Sequence, residues 1–121
     1  MVKFDFPKGE ASSIHLVIYV PSTININHLI SNKQFKKRIR DTINFLRKKI
    51  GGSTTLSGIG NYRSGDLRKS VTERVAKIEA FATVSDYDKV DTKIRDFLIK
   101  KKQEWKQESL SYEFEESLYF V

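Results

Sequence analysis

The sequence predicts an α+β domain of ferredoxin-like type, with strands and helices in the order βαββαβ. Three observations predict this class. Apolar and polar residues alternate over residues 13–20, two amphipathic helical segments follow, and a pair of strand segments lies between them. In this fold the antiparallel sheet has the strand order 4-1-3-2, and both helices cover one face. A chain of 121 residues fits one such domain, spanning residues 1–121.

The first strand is predicted over residues 13–20, after an irregular lead-in at residues 1–12. The side chains expected on its core face are Ile14, Leu16, Ile18 and Val20. The opposite face carries His15, Val17 and Tyr19. Because this second face is not fully polar, we expect a partner or a cavity to cover it. Pro21 ends the strand, since proline cannot continue an interior ladder.

The first helix is predicted to begin at Ser31 and to end at residue 50. Ser31 and Gln34 have the spacing of a capping box, in which each side chain accepts a hydrogen bond from the other residue's backbone N–H. A glycine pair follows at Gly51 and Gly52, and glycine readily adopts the left-handed conformation that ends a helix. We therefore interpret this pair as a helix end rather than a phosphate-binding loop, because it follows a helix instead of opening one. The apolar stripe of the helix consists of Phe35, Ile39, Ile43, Leu46 and Ile50.

The second half of the chain repeats the pattern of strands around a helix. Strands are predicted over residues 54–62, 71–83 and 109–121, with a hairpin turn at 63–66 and a helix over 89–108. Gly58 and Gly60 occupy alternate positions of the second strand and so point to the same face. A glycine pair on one face of a strand indicates close approach of another group, or a bend. The inward residues of the second helix are predicted to be Val90, Ile94, Leu98 and Trp105.

The positive charge is concentrated in the first helix. The formal net charge of the chain is +7, and residues 31–50 alone carry eight cations and one anion. A concentrated cationic face is typical of a protein that binds an anionic partner, such as a nucleotide or nucleic acid. A solvated lysine-rich surface is the alternative interpretation. The candidate ligand-binding cations are Lys36, Lys37, Arg40, Arg47 and Lys48.

The sheet face opposite the helices carries a second set of candidate residues. If the strand registers agree, Glu73 of the third strand shares this face with His15 and with Glu113 of the last strand. Carboxylates that lie close together shift each other's pKa and can perform acid–base chemistry. We therefore consider Glu73, His15 and Glu108 candidate catalytic residues, with Tyr62 as a ligand-binding residue. Ordinary cross-strand charge pairing is the alternative.

Glu73 is the most informative of these candidates. It lies in the middle of a strand rich in β-branched and small residues, where a buried carboxylate needs a partner. The partners considered from sequence are His15, Tyr62, an Arg74 from a neighbouring subunit or a bound ligand.

Several short motifs occur along the chain. They are Gly51-Gly52-Ser53-Thr54, the G-x-G-x-Y pattern ending at Tyr62, the strand glutamate Glu73, the W-x-Q-E pattern of Trp105–Glu108, and Tyr112–Glu115. In this order the motifs resemble those of a diffuse group of small, functionally uncharacterised bacterial and archaeal proteins. The resemblance covers most of the chain from about Ile14 onward and implies a ferredoxin-like fold, with no activity to transfer.

Three functions remain open at this point, and the sequence does not decide whether the protein is an enzyme. The first is a binding module that holds an anionic ligand, nucleotide or nucleic acid on the basic helix. The second is an enzyme or small-ligand protein with an acidic pocket on the open sheet face. The third is a homodimeric interaction protein without chemistry, and a homodimer is expected from the semi-apolar face in any case.

Composition narrows the chemistry and the location. The chain has no cysteine, which excludes disulfides and thiolate metal sites, and no metal site is predicted. No cofactor can be named. No apolar run reaches the roughly 18 residues of a membrane-spanning helix, and the N-terminus lacks the apolar segment of a signal peptide. The sequence therefore predicts a soluble cytoplasmic protein with no membrane partner.

Overall fold

The fold is described from a computed structural model that covers residues 13–65, 68–115 and 117–121. The side chains of Ser13, Tyr62 and residues 84–89 also lie outside the description. The predicted lead-in at 1–12 and the turn position Asp66 therefore lie outside the described residues. The elements are β1 Ser13–Pro21, β2 Thr23–Ile24, β3 His28–Leu29, α1 Asn32–Lys49, β4 Thr54–Ser64, β5 Lys69–Thr83, α2 Val84–Glu104, β6 Ser111–Phe114 and β7 Ser117–Phe120.

Five of the strands form one sheet in the order β4-β5-β1-β6-β7, and every pairing in it is antiparallel. The predicted α+β class, with two helices and an antiparallel sheet, is confirmed. The sheet has one strand more than the predicted four-stranded ferredoxin-like sheet, because residues 109–121 form a hairpin and not one strand. The chain turns after Phe114 at Glu115, whose φ of 51° is left-handed. This turn gives little sequence signal, since the residue is not glycine.

Both helices contribute to a single hydrophobic core on one face of the sheet. The predicted core side chains of β1, from Ile14 to Val20, pack there with Phe35 and Leu46 of α1 and with Ile94 and Leu98 of α2. The alternation predicted for this strand is therefore confirmed. We call the other face, which carries His15, Val17 and Tyr19, the open face.

The prediction that Val17 needs cover from outside the chain is wrong. Val17 has no exposed surface, although it lies on the open face. Its register partners are Glu79 of β5 and Glu113 of β6. The side chains around these flanking positions are long enough to cover a valine from within the same chain.

The predicted ends of α1 are confirmed. Ser31 is the N-cap, and the capping box with Gln34 is complete in both directions. Gly51 has a φ of 115° directly after the helix. In the part of the chain that the structure describes, no helix is long and apolar enough to cross a membrane.

The second helix is displaced from its predicted span of 89–108. It begins at Val84 and ends at Glu104, so it starts five residues earlier and ends four residues earlier than predicted. Lys106 has a left-handed φ of 51°, and the backbone N–H of Gln107 donates to the carbonyl of Lys102 over 2.9 Å. Trp105 to Glu108 therefore form a turn that closes the helix and brings the chain back to the sheet.

A small hairpin of β2 and β3 follows Pro21 and was not predicted. Its turn contains Asn25 and Ile26, both with positive φ. The backbone N–H of Asn25 donates to the carbonyl of Lys106 over 3.1 Å. This bond joins the loop after β1 to the turn after α2, so two remote segments meet at one end of the sheet.

Candidate functional site

A cleft with a volume of about 390 Å³ lies on the open face, at the end of the sheet where these two segments meet. This volume lies within the range of small-ligand sites. Each of the five strands of the main sheet provides residues that line the cleft, and so does the segment that follows α2. The lining residues used below are Tyr19, Pro21, Gly60, Glu73, Val75, Gln107, Glu113, Leu118 and Phe120.

Glu73 is the buried carboxylate of this cleft, with only 8% of its surface exposed. Its Oε2 atom accepts hydrogen bonds from the backbone N–H of Ser22 over 3.0 Å and from the hydroxyl of Thr23 over 2.7 Å. Burial raises the pKa of Glu73 above its ordinary value. The Thr23 hydroxyl, the Ser22 N–H and the positive charge of Arg38 oppose this rise without cancelling it.

The expectation that a buried Glu73 needs a partner is met by residues the sequence did not suggest. Within the described chain its partners come from the loop after β1 and not from His15, which lies at the far end of the sheet. Arg74, the next residue, points to the helical side, where its guanidinium donates to Asn32 over 2.8 Å.

Gly60 lies directly opposite Glu73 in the β4–β5 register, and Gly58 lies opposite Val75. Both glycines therefore point to the same face, as predicted, and this face is the open face. A Cβ atom at Gly60 would lie 3.2 Å from Cγ1 of Val75, which is tighter than ordinary contact. A Cβ atom at Gly58 would lie 3.9 Å from the nearest atom of Val75. The close approach inferred from the glycine pair thus occurs at Gly60, where a side chain would crowd the floor of the cleft beside Glu73.

A second carboxylate, Glu113, lies in the same cleft and binds Tyr19. The Tyr19 hydroxyl donates to Oε1 of Glu113 over 2.7 Å. Burial and the negative charge of Glu113 raise the pKa of Tyr19 to about 12. Tyr19 therefore remains a neutral hydrogen-bond donor at physiological pH.

The candidate catalytic residue His15 is remote from the cleft. It pairs with Phe81 in the sheet, eight residues along β5 from Glu73, which corresponds to roughly 25 Å. Its ring stacks on Phe81 at 4.7 Å, and its Nε2 atom lies 3.4 Å from Glu79. Lys77 lies 3.1 Å from the other oxygen of Glu79, and this contact holds the pKa of Glu79 below its ordinary value. Cross-strand charge pairing, the alternative interpretation, describes this end of the sheet.

The other two candidates lie near the cleft end of the sheet. Glu108 accepts a hydrogen bond from the Ser64 hydroxyl over 3.1 Å, beyond the cleft, whereas its neighbour Gln107 lines the cleft. Tyr62 is in β4 opposite Val71, and its side chain lies outside the described residues.

The five candidate cations Lys36, Lys37, Arg40, Arg47 and Lys48 are all exposed on α1. They therefore lie on the helical side of the sheet, opposite the cleft. Lys37 forms an ion pair with Asp41 at 2.9 Å, and Arg47 donates to Asn44. Arg38 differs from these five exposed cations, because only 6% of its surface is exposed. Within the described residues, no group of three or more histidine, cysteine or carboxylate side chains could hold a metal ion.

Sequence reasoning missed the residues that hold Glu73. Ser22 and Thr23 directly follow Pro21, the predicted end of the first strand, and no role was predicted for either residue. Gln107, which binds the Thr23 carbonyl, was predicted only as part of the second helix. The available signal is modest: two short hydroxyl side chains directly follow a proline that ends a buried strand, and a hydroxyl at such a position can donate a hydrogen bond outside the strand ladder.

No protein-family model matches the chain, and no curated protein matches it. Two solved structures are similar to it. One is a phage SAM lyase in complex with S-methyl-5'-thioadenosine, with a TM-score of 0.71, 15% identity, and coverage of 99% of this chain and 95% of that chain. The other is a phage SAM lyase in the apo state, with a TM-score of 0.64, 16% identity, and coverage of 98% and 95%. The resemblance to small bacterial and archaeal proteins remains a prediction. At this level of identity the likeness is one of fold, and the chain has the fold of these two phage proteins.

Proposed function

We propose that the protein is a SAM lyase, which binds S-adenosyl-L-methionine (SAM) in the cleft at Glu73 and releases S-methyl-5'-thioadenosine. The observation that carries the proposal is a buried carboxylate in a cleft of ligand size, on a fold for which one similar structure holds S-methyl-5'-thioadenosine. This is the enzyme alternative of the sequence analysis, and the similar structures favour it over the basic-helix binding module.

The charges of the cleft are complementary to SAM. SAM carries a sulfonium, an ammonium and a carboxylate group and is therefore a net cation, and the cleft contains the carboxylates of Glu73 and Glu113. The apolar side chains of Val75, Leu118 and Phe120 line the rest of it and provide a surface against which an adenine ring can pack. A neutral nucleoside would use only this apolar part and the hydrogen-bonding groups.

The raised pKa of Glu73 makes SAM binding dependent on pH. A bound cation favours the ionised carboxylate, so the affinity for SAM should fall as the pH falls through the pKa of Glu73 in the free protein. S-methyl-5'-thioadenosine lacks both positive charges, and its affinity should therefore depend much less on pH. As the C–S bond to the four-carbon chain breaks, its electron pair stays on sulfur, which converts the sulfonium into the neutral thioether of this product. The carboxylate of the same SAM molecule forms the new bond to the released carbon, so the four-carbon product is a lactone and no co-reactant is needed.

The proposal is tested by incubating the protein with SAM and measuring S-methyl-5'-thioadenosine by chromatography, with the four-carbon product identified by mass spectrometry. Glu73→Gln should reduce product formation at least about tenfold, the loss expected when a hydrogen bond to a charged group is removed. Glu79→Gln is the matched control, since it makes the same change on the same strand and face, where Glu79 binds Lys77. The absence of any product, together with no binding of SAM or S-methyl-5'-thioadenosine, would refute the proposal.

A further inference from the structure

Arg38 is a buried arginine at a position that an amphipathic helix normally gives to an apolar side chain. It shares the inner face of α1 with Phe35, Thr42 and Leu46, and only 6% of its surface is exposed. Its guanidinium lies 5.3 Å from the centre of the Trp105 ring. Among the described residues, no carboxylate forms an ion pair with it. A buried cation without such a pair is costly, so its presence needs a reason.

Among the described residues, the side chain of Arg38 donates its hydrogen bonds to backbone carbonyls of the segments that form the end of the cleft. Nη1 donates to Pro21 and to Thr23, each over 2.8 Å, and Nη2 donates to Trp105 over 3.3 Å. Gln107 lines the cleft, and its Nε2 atom binds two of the same carbonyls, Thr23 over 2.6 Å and Trp105 over 2.8 Å. These two carbonyls are thus held by Arg38 of α1 and by Gln107 together.

Thr23 connects the hydrogen bonds of Arg38 to the carboxylate of Glu73. Its carbonyl accepts from Arg38, while its hydroxyl donates to Glu73 over 2.7 Å. The Ser22 N–H that donates to Glu73 belongs to the same planar peptide unit as the Pro21 carbonyl, so the bond from Arg38 to that carbonyl also fixes the direction of this N–H. The cation and the carboxylate are therefore linked through one residue although they do not touch.

We propose that Arg38 is the positioning residue of Glu73: it holds the segment Pro21 to Thr23 so that one amide and one hydroxyl face the carboxylate, and it places a positive charge behind them. The proposal deepens the proposed function and rests on it only for the role of Glu73 in ligand binding. The hydrogen-bond chain itself requires no ligand.

Several charged and titratable groups lie near Glu73 and Arg38 and bear on the titration of Glu73. Arg38 acts on Glu73 from α1, and Glu104 at the end of α2 acts on Arg38. Tyr19 and Glu113 share the cleft with Glu73. Burial opposes ionisation of Glu73, whereas the two hydrogen bonds and the charge of Arg38 favour it, so loss of Arg38 removes support for the ionised form.

The test is the titration of Glu73 in the full chain, followed through the carboxyl ¹³C resonance of glutamate-labelled protein and assigned with Glu73→Gln. Arg38→Met should move the Glu73 midpoint to higher pH, and Arg38→Lys should move it less in the same direction, because lysine retains the charge but cannot span three carbonyls. Arg40→Met is the matched control, since it removes one positive charge from an exposed position of the same helix. It should leave the midpoint unchanged.

Thr23→Val tests the residue that links Arg38 to Glu73, and it provides a second test if Arg38→Met does not fold. Valine retains the carbonyl that binds Arg38 but lacks the hydroxyl, so the Glu73 midpoint should again rise, whereas Thr23→Ser should restore it. If folded Arg38 and Thr23 variants titrate like Arg40→Met, Arg38 only supports the fold and the proposal is wrong. Because no ligand is present in this measurement, its outcome is independent of whether the protein cleaves SAM.

Discussion

The hydroxyl of Thr23 and the carboxylate of Glu73 are 2.7 Å apart, although 50 residues separate them in the chain. This bond joins the first residue of β2 to the fifth residue of β5 and gives a buried carboxylate its orientation. The same carboxylate lies in the cleft for which we propose a function. The cleft therefore depends on how a short loop is held as well as on the sheet beneath it.

Gly60→Ala is expected to impair the cleft. The added Cβ would lie 3.2 Å from Cγ1 of Val75, so Val75 has to shift beside Glu73. We expect a loss of about 1 kcal/mol in the free energy of unfolding, as for mild overpacking, and weaker binding of S-methyl-5'-thioadenosine. Gly58→Ala is the control, because its Cβ would meet Val75 at an ordinary 3.9 Å. Denaturant unfolding and ligand titration measure both effects, and equal behaviour of the two variants would contradict this account of the glycine pair.

Tyr19 should titrate later than an ordinary tyrosine. Its pKa of about 12 predicts an increase in phenolate absorbance near pH 12. This increase should be absent from Tyr19→Phe, and it should occur at lower pH in Glu113→Gln. Because the pKa is raised in the folded state, the stabilising contribution of Tyr19 is present below about pH 10 and is lost as the pH rises towards 12. Unfolding measured at pH 8 and pH 11 should therefore show a smaller decrease for Tyr19→Phe than for the parent. A late step that persists in Tyr19→Phe would assign it to another group.

The basic surface of α1 carries a separate prediction. If nucleic acid binds there, binding should be tolerant of sequence and should weaken steeply with salt, because phosphate contacts release counterions. Charge reversal of Lys37, Arg40 and Arg47 together should abolish binding while the fold survives. A matched triple reversal of the exposed α2 residues Lys93, Arg95 and Lys100 should have a smaller effect. Binding curves over a salt series decide the matter, and equal binding by the parent and the α1 variant would show that this surface is only solvated.

Homodimerisation also remains a prediction, now for different residues than the sequence suggested. Val17 is covered within the chain, but Leu56, Phe81 and Phe120 on the open face are 50%, 63% and 65% exposed. Light scattering should detect a dimer, and Phe81→Asp should weaken it. Leu29→Asp, at an exposed position of the small β2–β3 hairpin, should not. A monomer at high micromolar concentration would count against the dimer and against the interaction protein without chemistry.

The elements that could be predicted are those determined by local chemistry. The alternation of β1 follows from one face meeting the core, and the ends of α1 follow from the capping box at Ser31 and from Gly51. The final hairpin and the end of α2 could not be predicted, because their turns use left-handed Glu115 and Lys106, residues that carry no turn signal.

The site was predictable only in part. Glu73 could be identified because a carboxylate conflicts with its strand, and a local conflict of this kind often marks a functional position. Its partners could not be identified, since Ser22, Thr23 and Arg38 reach it through contacts between segments remote in sequence. His15 was included only because it shares a sheet face with Glu73, and a shared face does not imply proximity along the strands.

Our central claim is that Glu73 is buried to bind ligand and not to stabilise the fold. Its pKa is raised in the folded state, so ionisation costs stability: its contribution is present below the pKa of an unfolded glutamate and is lost as the pH rises through the folded pKa. At neutral pH, Glu73→Gln should therefore unfold at the same temperature as the parent or at a higher one.

The most direct measurement is thermal unfolding of the parent, Glu73→Gln and Glu79→Gln at neutral pH, each with and without SAM. A ligand that binds only the folded state raises the unfolding temperature. We predict that SAM stabilises the parent and Glu79→Gln but not Glu73→Gln, which without ligand is at least as stable as the parent. A Glu73→Gln protein that is clearly less stable than the parent, yet gains the same stabilisation from SAM, would contradict this account.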